Sequence, residues 1–219
     1  MRIFRFFMAA LTALCFTAAS QAAPVQGQDY TLLSTPQPTD SGKKVEVIEF
    51  FAYYCPHCNA LDPALTEWVK AHADKIVFKR IHVSANGQPM PQQRLFYAIE
   101  AMGKTEEYHA KIFHAMHVER VHVNTDDDAI NLAVKLGLDR AKFTSYYNSF
   151  TVQTRVQRAI QQMTSYQVMT WPTLVLDGKY VTSPVQAASR TPNADEVEAG
   201  KIMLKMLDEL VDQLAKSHH

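Results

Sequence analysis

Cysteine is scarce in this sequence. Only Cys15, Cys55 and Cys58 occur in 219 residues, too few for a disulfide-rich scaffold. Neither sign of charge is in excess, with 22 Lys+Arg against 22 Asp+Glu. There is no basic run, and nucleic acid is therefore not an expected partner. No internal repeat is visible, and no low-complexity stretch lies beyond the N-terminal segment. No second Cys-x-x-Cys accompanies Cys55 and Cys58, and His109, His114, His117 and His122 fall on other predicted elements. A zinc site therefore lacks ligands, and those four histidines read as polar helix surface. Asn59, not histidine, follows Cys58, which excludes the Cys-x-x-Cys-His pattern of covalent haem attachment.

The longest apolar run is at the start. "MRIFRFFMAALTALCFTAASQAA" has two arginines, an apolar stretch and then small residues, the layout of a secretory signal peptide. The stretch is short of the roughly 20 apolar residues that a membrane span needs. Ser20 and Ala22 supply small residues at −3 and −1, so residues 1–22 are assigned to the signal. Cys15 follows Leu14 and makes a poor lipoprotein site. About 200 residues remain, enough for one domain with an inserted subdomain. Removing the signal leaves only Cys55 and Cys58, in a chain destined for an oxidising compartment. A core of this size needs no covalent staple, and a bridge across four residues closes too small a loop to stabilise much. The pair is expected to be chemical, not structural.

Residues 24–44 read as a leader with a short strand near Tyr30 to Leu33. "KVEVIEFFAYY" is β-branched and aromatic and too apolar for a half-exposed strand, as expected of a central strand buried on both faces. From Cys55 to about Ala73 the spacing predicts a helix whose inner face is Cys58, Leu61, Leu65 and Trp68, kinked at Pro63. "KIVFKRIHVS" is a second strand, which completes a βαβ unit. Five helical pieces follow between Pro91 and Met163. "TLVLDGKYVT" then predicts a hairpin turning at Asp177-Gly178, and Asn193 is the expected cap of a final helix. The whole reads as α/β with a helical insertion: residues 23–89 and 165–219 form the sheet domain, and residues 90–164 the insertion.

"FFAYYCPHCNALDPAL" carries the chemistry. Cys55 stands where a buried strand gives way to a helix, so its sulfur meets the first helical N–H groups and a thiolate there is stabilised. Pro56 suits the first turn, where its missing donor costs nothing. His57 adds a cation or N–H donor beside the sulfur. Cys58, one turn on and nearer the core, keeps a higher pKa. A stabilised Cys55 thiolate leaves well when the disulfide is attacked and favours the reduced pair, so the pair should donate its disulfide, and the reduced form should be the more stable near neutral pH. Glu49, in a strand read as buried, needs a partner, with Arg80 or Lys79 as candidates. Trp171-Pro172 precedes a strand; base rates alone favour a trans bond there.

The Cys-Pro-His-Cys motif after "EFFAYY", with a proline five residues past the second cysteine, resembles the thioredoxin superfamily. With a helical block between the two sheet halves, it resembles the DsbA family of periplasmic thiol:disulfide oxidoreductases. The resemblance spans nearly all of the chain after the signal. It implies a thioredoxin fold with an inserted helical subdomain, Cys55 as attacking cysteine, Cys58 as its partner and His57 as promoter of the thiolate. It also implies a cis Pro172 facing the site, and Glu49 as a buried charge that assists proton transfer at Cys58. Phe51, Tyr54 and Trp171 are expected to form an apolar patch for substrate; the indole of Trp171 departs from the smaller residues common before this proline. The implied system needs no cofactor beyond the redox-active Cys55–Cys58 disulfide. Its implied partners are reduced, unfolded exported proteins and a DsbB-type quinone-linked membrane protein for reoxidation, with the chain itself a periplasmic monomer. A disulfide isomerase or reductase on the same fold, and a non-enzymatic chaperone, are the alternatives. The dimeric isomerases add an N-terminal domain for which residues 23–44 are too short.

Overall fold

The computed structural model describes residues 23–218. The expected signal peptide, residues 1–22, and His219 lie outside the described residues. Strands β1 (Thr31–Leu32), β2 (Val45–Phe51), β3 (Ile76–His82), β4 (Thr173–Leu176) and β5 (Tyr180–Thr182) form one sheet, ordered β1-β5-β4-β2-β3. Helix α1 (Pro56–Ala71) joins β2 to its parallel neighbour β3, and every other pairing is antiparallel. Five helices separate β3 from β4: α2 (Pro91–Ala101), α3 (Thr105–His117), α4 (Asp126–Lys135), α5 (Arg140–Tyr147) and α6 (Phe150–Ser165). A short α7 (Pro184–Ala187), which no sequence signal announced, and the long α8 (Glu196–Ser217) end the described chain. The expected α/β architecture, a thioredoxin fold carrying a helical insertion, is the one observed.

All seven residues of β2 are buried, which explains why its apolar residues fall on both faces and do not alternate; its two glutamates, Glu46 and Glu49, are buried with cationic partners. Val45 and Val47 pack with Leu61 and Leu65 of α1 and Met203 and Leu207 of α8. Ile48 and Phe50 join the core shared with the insertion, which includes Phe96 and Ile99. Helix α1 is one element through Pro63, whose exposed ring leaves the packed face unbroken. At the hairpin, Asp177 and Gly178 have φ of 45° and 60°, as a two-residue turn of this kind requires. A Cβ on Gly178 would stand 2.1 Å from the Gln37 carbonyl oxygen, so only glycine fits. The cap of α8 is Asp195, not Asn193. The Asp195 carboxylate accepts the Glu198 N–H at 2.8 Å, whereas Asn193 has φ of 67°, a left-handed conformation that asparagine tolerates and that turns the chain before the helix begins.

Candidate active site

Cys55 caps α1. Its backbone is extended (φ −84°, ψ 116°) and its Sγ accepts the Cys58 N–H at 3.3 Å. Pro56 occupies the first helical position. The Cys55 thiol also lies 3.7 Å from the Trp171 carbonyl oxygen. Both sulfurs are free thiols. Cys55 keeps 5% of its surface exposed and Cys58 none. The hydrogen bond from the Cys58 side chain, the N–H groups of Cys58 and His57, and the His57 charge pull the Cys55 pKa down to about 6. Burial, reinforced by the neighbouring Cys55, pushes the Cys58 thiol far up. The asymmetry expected from the motif is therefore present. His57 projects into solvent and bonds through Nδ1 to the Glu196 carboxylate at the start of α8. That bond, aided by the Cys55 charge, raises the His57 pKa.

Beneath the dithiol lies a buried charge cluster. Arg80 Nε donates to Glu49 Oε2 at 2.9 Å, and its Nη2 donates to Asp62 Oδ1 at 3.1 Å. Arg80, not Lys79, is therefore the partner of Glu49; Lys79 pairs with Glu46 and Asp40. Glu49 Oε1 has no partner. Burial raises the Glu49 pKa to about 7 against the pull of Arg80, and its charge in turn raises the Cys58 pKa. His109 extends the cluster, with Nε2 3.2 Å from Asp62 Oδ1 and Nδ1 3.0 Å from the Tyr53 hydroxyl.

This corrects the reading of the histidines as helix surface. His114 and His122 are exposed, but His109 is buried and His117 half-buried, its Nε2 donating to the Tyr53 carbonyl at 2.7 Å; a carbonyl only accepts, so Nε2 carries the proton. His82, which sequence reasoning passed over, accepts the Tyr53 N–H at 3.1 Å, and burial lowers its pKa to about 3. Three histidines thus hold the residue two before Cys55. Asp62 was also missed, although its place four residues after Cys58 on the inner face of α1 was a usable signal. Nothing in the sequence could have paired His57 with Glu196, 139 residues away.

The Trp171–Pro172 bond is cis, as the resemblance implied and against the base rate. Beside it runs a largely apolar groove of about 590 Å³, whose walls include His57, Trp171, Pro172, Val185, Glu196 and Gly200. Trp171 is half-buried, its ring 6.2 Å from that of Tyr54 and edge-on to it. Phe51 is not on this surface. It is wholly buried, packed against Tyr53, Phe96 and Phe113, because the strand end on which it sits is roofed by the insertion. Among the described residues no group of three or more His, Cys, Asp or Glu is placed to hold a metal ion, and no helix is long and apolar enough to cross a membrane.

Comparison with known proteins agrees with this geometry. Residues 90–194 match a family described as a DSBA-like thioredoxin domain, and residues 37–102 match thioredoxin. The chain is 36% identical over 210 residues to the thiol:disulfide interchange protein DsbA of Bordetella parapertussis, covering 95% of this chain and 96% of that one. It is 38% identical over 172 residues to that of Burkholderia cepacia, covering 78% and 81%. The crystal structure of Pseudomonas aeruginosa DsbA superposes with a TM-score of 0.77 at 28% identity, over 89% of this chain and 96% of that one.

Proposed function

The chain belongs to the DsbA family of thiol:disulfide oxidoreductases, and from that premise we propose that it oxidises exported proteins in the periplasm, as a monomer, by donating the Cys55–Cys58 disulfide. A substrate thiolate attacks Cys55 Sγ. The Cys55–Cys58 bond breaks, a mixed disulfide forms at Cys55, and the Cys58 sulfur leaves with the electron pair. Cys58 is far too basic to remain a thiolate, so it takes a proton, and Glu49, poised near neutrality by burial, is the nearby buried acid that supplies it. A second substrate thiolate attacks the substrate sulfur of the mixed disulfide and releases the Cys55 thiolate. Two substrate thiols have become a disulfide and the enzyme holds two electrons more. A DsbB-type quinone-linked membrane protein takes those electrons and restores the disulfide. Pro172, Trp171 and Tyr54 border the place where the substrate backbone lies against Cys55.

One observation carries this reading. The structure stabilises Cys55 as a thiolate and keeps Cys58 a thiol, so the reduced pair is favoured and the disulfide is readily given away. A reductant on the same fold has a weaker bias of the same sign, so the size of the effect separates the two. The test is the redox equilibrium of Cys55–Cys58 against glutathione, together with refolding of a reduced substrate by the oxidised protein. Ready reduction by glutathione and disulfide formation in the substrate are expected. A pair that stays oxidised in strongly reducing mixtures overturns the proposal.

A further inference from the structure

His57 has two anionic neighbours that belong to different parts of the fold. Cys55, two residues before it, is the sulfur it stabilises. Glu196 comes from the first turn of α8 and, like His57, lines the groove beside the cis Trp171–Pro172 bond. The imidazole is mostly exposed, with 68% of its side-chain surface open to solvent, so packing alone does not hold the ring. Among the described residues the ring's one hydrogen bond is to Glu196. The neighbouring Asp195 carboxylate is turned to the Glu198 N–H as the cap of α8. Glu198 is in the same turn but does not bond to His57.

We propose that Glu196 is a positioning residue for the redox pair: it anchors the His57 ring beside Cys55 and supplies the counter-charge that keeps that ring an imidazolium. The last helix thereby sets the poise of a motif on the first. The physical basis is that a ring nitrogen bonded to a carboxylate holds its proton more firmly, and the cation so retained stabilises the thiolate. Glu196 acts on the sulfur only through His57. It also closes one side of the groove with the same bond, so a substrate chain entering there passes beside an occupied imidazolium.

This inference rests on the oxidase reading. Its test compares wild type, Glu196→Gln, His57→Ala, the double variant and Glu198→Gln, each in glutathione equilibrium and in a pH titration of Cys55 thiolate absorbance. For Glu196→Gln the reduction equilibrium with glutathione should become about two- to five-fold less favourable, the range an exposed ion pair commands. The apparent Cys55 pKa should rise by about 0.3 to 0.7. Glu198→Gln should match wild type. In the His57→Ala background, Glu196→Gln should add nothing. A Glu196→Gln variant with unaltered equilibrium and titration overturns the inference, and so does an effect that persists without His57. A wild type that glutathione cannot reduce would instead overturn the oxidase reading, so the two failures are distinguishable.

Discussion

Lowering the pH from 7 to 5 should erase about 1.4 kcal/mol of the stability that the reduced protein holds relative to the oxidised one. The quantity follows from Cys55 alone. Its pKa is depressed to about 6 in the folded protein, against about 8.5 in an unfolded chain. A depressed acid stabilises the fold above its unfolded value, and that contribution is lost as the pH falls through the folded value. At pH 7 the two values give about 1.4 kcal/mol, and at pH 5 less than about 0.1 kcal/mol. Between pH 7 and 8 the advantage should grow by about a further 1 kcal/mol, and it should level off near pH 8.5 as Cys55 ionises in the unfolded chain as well. Above that it should fall, because Cys58 ionises in the unfolded chain but is held as a thiol by burial in the folded one. The oxidised protein has neither thiol, so subtracting its stability removes the groups that the redox state leaves unaltered. Denaturant melts of both forms at pH 5, 6, 7 and 8 measure the difference directly. About 1.4 kcal/mol is about 30 mV of two-electron potential, so the glutathione equilibrium should shift in step. A difference that stays flat between pH 5 and 7, or shrinks as the pH rises, would refute the thiolate argument.

Other perturbations test the charge cluster. Arg80→Ala strands two buried carboxylates, Glu49 and Asp62, and should cost about 3–5 kcal/mol in denaturant melts; a loss below about 1 kcal/mol would mean that water reaches the cluster. Glu49→Gln keeps the shape but removes the proton carrier. In reoxidation Cys58 must lose a proton, so the wild-type rate should rise with pH through about 7 as Glu49 becomes the accepting carboxylate. The variant should be about ten-fold slower or more and lack that inflection. An unaltered Cys58 titration and rate profile in Glu49→Gln would remove Glu49 from the mechanism.

What could be read without a structure was local or periodic. The β-branched and aromatic composition of β2, the Cys-Pro-His-Cys motif at a strand-to-helix seam and the Asp-Gly turn each carry their physics within a few residues: burial on two faces, N–H groups meeting a sulfur, a pair of positive φ angles. The direction of the Cys55 shift belongs to this class, because the cap, the proline and the histidine are its immediate neighbours. The rest depended on contacts between distant segments. Phe51 and Tyr54 look alike on the chain, yet the insertion covers one ring wholly and leaves the other half-buried against Trp171. His109 and His114 share a helix with a surface-like composition, but one turn and a half of rotation puts His109 against Asp62 and Tyr53. Arg80 was separable from Lys79 only once the register of β3 on β2 placed Arg80 opposite Glu49. Glu196 meets His57 because α8 packs across α1, and no pattern in either segment announces the other. Sequence by itself determined where on the chain the proposed redox pair lies; tertiary structure decided which charges surround it, since burial and the partners of a charge are properties of the packed chain.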